Sequence, residues 1–238
     1  MIIIGLTGSI GMGKSTASGI LRGLGVPVYD SDLSVHKVLD IGGAAVKPIE
    51  TLFPGVVTEG RVDRAALGQR VFSDPKALKE LETIVHPLVR RIQDSFLKQC
   101  ASRRSSIAAL DIPLLFEVGL NIRCDVSVVV TAPRFIQEAR VLSRPGMTRE
   151  KFLGISARQM SDEEKCRRAD FVIPSNRGKR ETLRRLASVV RFAKSLPITH
   201  WPLDPFYDRV ATARSLNARN RPGHGNHRSR SQHGGPPC

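Results

Sequence analysis

The sequence predicts an α/β fold with a parallel sheet of about five strands flanked by helices. Three observations support this prediction. Short apolar runs alternate along the chain with segments of helical periodicity. A glycine-rich loop joins the first apolar run to the first helical segment, which is typical of a strand–loop–helix unit. A length of 238 residues and a hydrophobic content of 41% suit one sizeable globular domain with insertions.

The apolar runs give the order of the expected strands. The first is at residues 2–6, and the second, at 26–29, ends at Asp30. The third, at 106–112, is followed by a strongly β-branched run at 126–130 and a short one at 171–173. We expect one helix between the fourth and fifth strands and another after the fifth strand. Pro133 suits the first turn of one that ends near Ser143, and residues 180–196 form another.

The glycine-rich loop matches G-x-x-x-x-G-K-[ST] at every fixed position, from Gly8 to Ser15. A strand precedes it and a helix follows it, as a phosphate-binding loop requires. Glycines let backbone N–H groups turn toward phosphate oxygens, and the helix N-terminus adds partial positive charge. Lys14 would reach the β- and γ-phosphates, and the Ser15 hydroxyl would bind Mg²⁺. We therefore expect a P-loop NTPase fold that uses ATP and Mg²⁺, with the nucleotide contacted by Gly8, Gly11, Met12, Gly13, Lys14, Ser15 and Thr16.

Two stretches exceed a minimal strand–helix–strand repeat. Residues 31–104 are expected to be mostly helical, as a helical substrate-binding insertion. Within them, Asp74 and Pro75 predict a helix start, and Pro87 predicts a break or a kink after His86. Residues 144–170 form a basic helical segment after the fourth strand, where a kinase would carry a helical lid. A solvated helical surface is the alternative for that segment.

Asp30 and Asp32 follow the second strand. The carboxyl ends of parallel strands line the ligand crevice of open α/β sheets, so both carboxylates should face the phosphates. A phosphoryl acceptor hydroxyl needs a base within hydrogen-bond reach, and a carboxylate is suited to that role. Asp30 could instead cap the following helix, and Asp32 could be a first-turn acid favoured by the helix dipole.

The amino-acid composition limits the kinds of partner that we expect for this protein. The net charge of +15 could attract nucleic acid or a polyanionic small molecule. Because no basic helix interleaved with aromatic residues occurs, we expect small-molecule substrates rather than nucleic acid. No apolar run approaches the ~20 residues of a membrane span. Four widely spaced cysteines without a C-x-x-C pair, together with the absence of a basic leader, fit a cytoplasmic protein. Oligomeric state stays open, with a monomer favoured.

The chain resembles the dephospho-CoA kinase family. The residues that carry the resemblance occur in family order from residue 1 to about residue 196. They are the opening run Gly5–Ser15, Asp30-Ser31-Asp32 with His36, the H-P-x-V-R block His86–Arg90, the P-L-L-F-E block Pro113–Glu117, Gln137–Arg140, Ala169-Asp170, and Asn176 before Gly178. Serine at position 31, where alanine is usual in the family, is a departure that we expect to be harmless.

The resemblance implies transfer of the ATP γ-phosphoryl to the ribose 3′-hydroxyl of dephospho-CoA, the last step of coenzyme A synthesis. It implies three catalytic residues, with Asp32 as the base beside Lys14 and Arg140. Asn176 would also contact the nucleotide, and Arg144 is a weaker second candidate beside Arg140. The acceptor would contact Asp32, His86 and Arg90 and a wall made of Leu114, Leu115 and Phe116. Asp111 resembles a Mg²⁺-binding acid, but the family does not uniformly carry one there.

The resemblance also suggests a division of the chain. We expect the kinase domain at 1–203, with its core at 1–30, 105–143 and 171–203, the acceptor-binding insertion at 31–104 and the lid at 144–170. Residues 204–238 match nothing in the family and are poor in apolar side chains, so we expect a basic, disordered tail. Two other functions stay open, a kinase for a nucleoside, nucleotide or shikimate-like acceptor and a nucleic-acid-associated ATPase.

Overall fold

A central parallel sheet organises the chain in a computed structural model that describes residues 1–72, 74–199 and 201–202. The strands are β1 (Ile2–Thr7), β2 (Val28–Asp30), β3 (Val57–Thr58), β4 (Arg61–Val62), β5 (Ile107–Asp111), β6 (Val126–Thr131) and β7 (Phe171–Pro174). The α-helices are α1 (Lys14–Gly23), α2 (Ser31–Leu39), α3 (Val46–Leu52), α4 (Arg64–Phe72), α5 (Pro75–Ser102), α6 (Arg134–Leu142), α7 (Arg149–Ala157), α8 (Asp162–Arg168) and α9 (Lys179–Ser195). A 3-10 turn spans Leu120–Arg123.

The sheet has five strands in the order β2-β5-β1-β6-β7, and every pairing is parallel. The expected five-stranded α/β fold is thus confirmed, with strand ends shifted by one or two residues. The register places Asp30 beside Asp111 and Asp111 beside Leu6. Because the strands run in the same direction, the loops after β1, β2, β5 and β7 open at one edge of the sheet.

Helices cover both faces of the sheet, and β1 is buried along its whole length because it is the central strand. On one face, α1 and α9 pack against the sheet through Leu21, Leu186 and Val190. On the other face, the C-terminal half of α5 packs through Leu97 and Cys100. Continuous apolar strands of this kind are what a sheet buried on both sides needs.

The segment between β2 and β5 has an apolar cluster of its own, formed by helices α2 to α5 around Ile49, Phe53 and Val85. The segment is mostly helical, as expected, and β3 and β4 add a short antiparallel hairpin. The chain does not break after His86, which corrects that part of the expectation at Pro87: α5 continues through Pro87 to Ser102. Packing of Val85 before the proline and of Leu88 after it holds both halves of the helix against the same cluster.

The expected start of α5 is confirmed. Asp74 caps α5, its carboxylate accepting from the N–H groups of Lys76 and Ala77, and Pro75 is the first helical residue. Pro133 is the N-cap of α6 rather than its first residue. Cys100, Cys124 and Cys166 are free thiols. No helix within the described part of the chain is long and apolar enough to cross a membrane. The expected disordered tail lies outside the described residues.

Candidate functional site

A cavity of about 1050 Å³ opens at the carboxyl edge of the sheet. Three groups of residues line it. They come from the glycine loop, from the N-terminal turn of α2 together with the middle of α5, and from the end of α7 and the residues that follow it. The volume and the mixture of apolar and charged walls fit a site for a sizeable ligand.

The glycine loop has the geometry of a phosphate cradle. Gly11 and Gly13 have φ values of 77° and 92°, in the left-handed region that favours glycine. Gly8 needs its missing side chain for another reason, since a Cβ there would lie 2.7 Å from the Val130 carbonyl oxygen. The loop runs into the N-terminus of α1, whose free N–H groups favour anions. The Ser9 hydroxyl oxygen is buried and has no hydrogen-bond partner among the described residues.

Lys14 and Asp111 form an ion pair at the centre of the site. The Lys14 Nζ lies 2.5 Å from the Asp111 Oδ1, and the Ser18 hydroxyl donates to the Asp111 Oδ2. Asp111 is 2% exposed at the end of β5, whereas Lys14 still lines the cavity. Both carboxylate oxygens are therefore engaged, and they hold the lysine at the base of the loop.

Asp30 and Asp32 have different roles in the structure. Asp30 is the N-cap of α2, since its Oδ1 accepts from the Leu33 N–H at 3.0 Å. Asp32 is a first-turn acid of α2, and it lines the cavity. Although water reaches its side chain, desolvation by the surrounding protein raises the pKa of Asp32. Lys14 opposes that rise, and the carboxylates of Asp30 and Asp111 add to it. Asp32 is thus the cavity-facing carboxylate of the pair.

Arg140 projects from α6 toward the glycine loop. One guanidinium nitrogen donates to the Ser175 hydroxyl at 2.8 Å, and the other donates to the Ser175 carbonyl at 3.0 Å. The Ser175 hydroxyl in turn donates to the Met12 carbonyl at 2.7 Å. These contacts fix the fork of Arg140 at the cavity wall beside the loop. Arg144, one turn further, also lines the cavity.

The part of the cavity wall on α5 carries apolar side chains. His86 and Arg90 lie one turn apart on α5 and both line the cavity, with Val85 and Val89 between and beside them. Leu114 also lines the cavity and is 38% exposed. The structure therefore places the expected acceptor residues His86, Arg90 and Leu114 in the same cavity as the glycine loop.

Four expected site residues do not line the cavity. Leu115 is 0% exposed and Phe116 is 5% exposed, so both are core residues rather than part of the acceptor wall, which corrects that expectation. The side chain of Met12 is buried, and its sulfur accepts from the Ala132 N–H. Asn176 is exposed next to Ser175 but outside the cavity lining. Thr16 does line it, at the start of α1.

Several residues that line the cavity were not predicted from the sequence. Gln159 and Lys179 line the cavity, and Gln159 contacts the glycine loop directly. Gln93 lines the wall formed by α5, and its Nε2 is buried without a partner among the described residues. No spacing in the sequence marks an isolated glutamine. Arg158 belongs to the basic segment 144–170, and its place in the cavity depends on the packing of α7.

The donor set fits Mg²⁺. The Ser15 hydroxyl lines the cavity beside the phosphate loop. Among residues 1–72, 74–199 and 201–202, no cluster of three or more His, Cys, Asp and Glu side chains is placed to hold a metal. Mg²⁺ in such sites takes one or two protein oxygens and otherwise phosphate and water oxygens, so it needs no protein cage.

Comparison with known proteins agrees with this site. A family model described as dephospho-CoA kinase matches residues 2–181. A dephospho-CoA kinase of Mesorhizobium japonicum is 54% identical over 178 residues, which are 75% of this chain and 89% of the relative. Another, of Rhodospirillum rubrum, is 50% identical over 196 residues, covering 82% and 92% of the two chains.

Solved structures are similar as well. TT1252 from Thermus thermophilus has a TM-score of 0.72 and 41% identity, covering 82% of this chain and 98% of its own. A dephospho-CoA kinase from Campylobacter jejuni has a TM-score of 0.53 and 25% identity, covering 80% and 96%. The family match spans the glycine loop, the cavity wall on α5 and the basic segment 144–170, and the chain belongs to the dephospho-CoA kinase family.

Proposed function

We propose that this chain transfers the γ-phosphoryl group of ATP to the ribose 3′-hydroxyl of dephospho-CoA, which yields coenzyme A and ADP. One observation carries the proposal beyond family membership. The glycine loop, Asp32 and the wall around His86 and Arg90 open onto a single cavity. A donor nucleotide and an acceptor can therefore occupy one continuous space with the carboxylate between them.

The nucleotide end supplies positive charge and N–H donors. We assign the phosphates to the backbone of residues 8–16 and to Lys14, which would exchange part of its contact with Asp111 for phosphate oxygens. Arg140 would stabilise charge on the transferring group from the wall beside Ser175. The Ser15 hydroxyl would hold Mg²⁺, which when bound neutralises phosphate charge. Arg144 stays a second candidate for nucleotide contact, and Asn176, which lies outside the cavity lining, would have to move to reach the nucleotide.

The acceptor end suits a long substrate with a charged part and an apolar arm. We assign Arg90 to a substrate phosphate and His86 to the same region. Val85, Val89 and Leu114 would cover the arm of dephospho-CoA. That arm contains amide carbonyls, and the unpartnered Nε2 of Gln93 on this wall would donate to one of them.

In the reaction, the 3′-hydroxyl oxygen forms the new bond to the γ-phosphorus while the bond to the β,γ-bridging oxygen of ATP breaks. Asp32 accepts the hydroxyl proton, and the leaving electron pair stays on ADP. Desolvation raises the pKa of Asp32, which makes its carboxylate a better proton acceptor than that of an ordinary aspartate. Positioning and charge stabilisation supply the rest of the rate because the transition state of phosphoryl transfer is loose.

The proposal also covers the basic charge of the chain, the roles of two segments, the oligomeric state and the location. Small anionic substrates account for the basic residues that face the cavity, such as Arg140, Arg144 and Arg158, without a nucleic-acid partner. The roles of residues 31–104 as the acceptor-binding insertion and 144–170 as the lid, the monomeric state and the cytoplasmic location are likewise proposals. Both α7 and α8 lie within the proposed lid.

A coupled assay of ADP formation tests the function directly. We expect rapid turnover with dephospho-CoA and little with adenosine, AMP or shikimate. Lys14→Ala, which removes the phosphate contact, should abolish that turnover. Because it also leaves the buried Asp111 carboxylate without its cation, a thermal melt must establish that the variant is folded. Equal turnover with another acceptor would contradict the proposal. A steep loss of affinity for DNA or RNA with salt would favour the nucleic-acid alternative.

A further inference from the structure

Two glutamines from different elements hold the same residue of the glycine loop. The Gln137 Nε2 donates to the Ile10 carbonyl at 2.8 Å, and the Ile10 N–H donates to the Gln159 Oε1 at 3.0 Å. Gln137 is a buried residue of α6, whereas Gln159 follows α7 and is partly exposed in the cavity. A ligand in the cavity can therefore reach the contact made by Gln159 but not the buried contact made by Gln137.

The N–H of Ile10 belongs to a loop whose N–H groups serve phosphate oxygens. Ile10 and Gln159 both line the cavity, so the amide oxygen of Gln159 lies where a phosphate oxygen would accept a hydrogen bond. Hydrogen bonds to a charged acceptor are roughly twice as strong as those between neutral groups. Phosphate should win the competition for this N–H, and the Gln159 side chain should then leave it.

The chain after Gln159 is firmly attached. The Met160 N–H donates to the Glu117 Oε1 at 2.9 Å, and the same carboxylate oxygen lies 2.9 Å from the Nζ of the buried Lys165. Two residues on from Met160, the Asp162 carboxylate accepts from the Thr131 hydroxyl. Gln159 thus lies between α7 and a segment that Glu117 and Thr131 hold in place.

We propose that Gln159 is a positioning residue that competes with phosphate for the Ile10 N–H. In the ligand-free chain its side chain ties the segment of α7 to the glycine loop, and a nucleotide phosphate releases it. The inference rests on the proposed use of this loop for ATP. Removal of the Gln159 amide should therefore strengthen phosphate binding, whereas removal of a residue that supports the loop would weaken it.

Matched substitutions at the two glutamines test the competition. Gln159→Met keeps the length of the side chain but removes the acceptor of the Ile10 N–H, and the matched Gln137→Met removes the donor to the Ile10 carbonyl. Calorimetric titration with ATP and with tripolyphosphate, both without acceptor substrate, measures phosphate binding. Titration with adenosine, which has no phosphate, is the control ligand. A thermal melt of each variant establishes that it is folded, and Gln159→Ala is the second variant at this position.

We expect Gln159→Met to lower the dissociation constants of ATP and tripolyphosphate by about 2- to 10-fold, from the usual net strength of a neutral hydrogen bond. Adenosine affinity should not change. Gln137→Met should weaken both phosphate ligands because the loop loses a buried support. Gln159→Glu should weaken them as well, since a carboxylate binds the N–H more strongly and repels phosphate. In turnover, Gln159→Met should change the KM for ATP more than kcat.

Three results would overturn the inference. The first is weaker or unchanged phosphate binding in both Gln159→Met and Gln159→Ala. The second is an equal gain for adenosine, which would assign the effect to the base. The third is the same sign of change for Gln137→Met as for Gln159→Met. Failure of the wild-type chain to phosphorylate dephospho-CoA would instead contradict the proposed function, and the binding experiments stay valid in that case.

Discussion

Replacing the buried Lys165 by methionine tests how the acceptor wall is held. Lys165 is 0% exposed, pairs with Glu117 at 2.9 Å, and donates to the Pro113 carbonyl at 3.0 Å. The same carbonyl accepts from the Thr7 hydroxyl at 2.9 Å, so the pair joins α8 to β1 and to the loop after β5. In Lys165→Met the Glu117 carboxylate would keep only the Met160 N–H, and its Oε2 already lacks a partner among the described residues.

Breaking a buried ion pair from one side costs about 3–5 kcal/mol, because an uncompensated charge stays in the interior. For a chain of this size, about 2–4 °C is lost per kcal/mol, which gives a fall in Tm of roughly 6–20 °C. Urea denaturation followed by far-UV circular dichroism measures the free energy of unfolding, and calorimetry measures Tm. Lys194→Met, at an exposed position of α9, is the control and should change stability little.

The double variant Lys165→Met with Glu117→Gln should recover part of the loss, because it leaves no charge in the interior. A loss of less than about 1 kcal/mol for Lys165→Met would refute the reasoning. It would mean that water enters the site and solvates Glu117 in the variant. An equal loss for Lys194→Met would refute it too, since the cost would then not come from burial.

Four further predictions concern the site. Asp32→Asn should lower kcat by about 10²–10⁴-fold while dephospho-CoA still binds, and a loss below tenfold would remove Asp32 as the base. Because burial raises the pKa of Asp32, the wild-type activity should fall on acidification at a higher pH than an ordinary aspartate would dictate, as a pH–rate profile of kcat/KM will measure. Gly8→Ala, whose Cβ would lie 2.7 Å from the Val130 carbonyl oxygen, should weaken ATP binding in a titration, whereas Gly19→Ala, with no atom within 4 Å, should not. Arg140→Lys keeps the charge but cannot reproduce the fork on Ser175, so kcat should fall more than the KM for ATP rises in steady-state kinetics, and an unchanged kcat would contradict this.

Much of the site was predictable because its signals are local in the sequence. The strand before Gly8 and the helix after Ser15 place the loop at a sheet edge, and parallel strands bring Asp32 and Asp111 to that same edge. The cap at Asp74 is equally local, since a side chain bonds to N–H groups two and three residues on. Apolar periodicity and turn chemistry act over a few residues, which is why they can be read without a structure.

The remaining features depend on packing between distant segments. The position of Leu115 in the core and of Leu114 in the cavity is decided by which side of one loop meets the sheet. Continuation of α5 through Pro87 depends on contacts that outweigh the lost backbone hydrogen bond. Gln159 and Ile10 are 149 residues apart, and only the fold brings an uncharged amide onto one N–H of the loop. A hydrogen bond of this kind needs no characteristic residue type or spacing, so only the tertiary structure could show it.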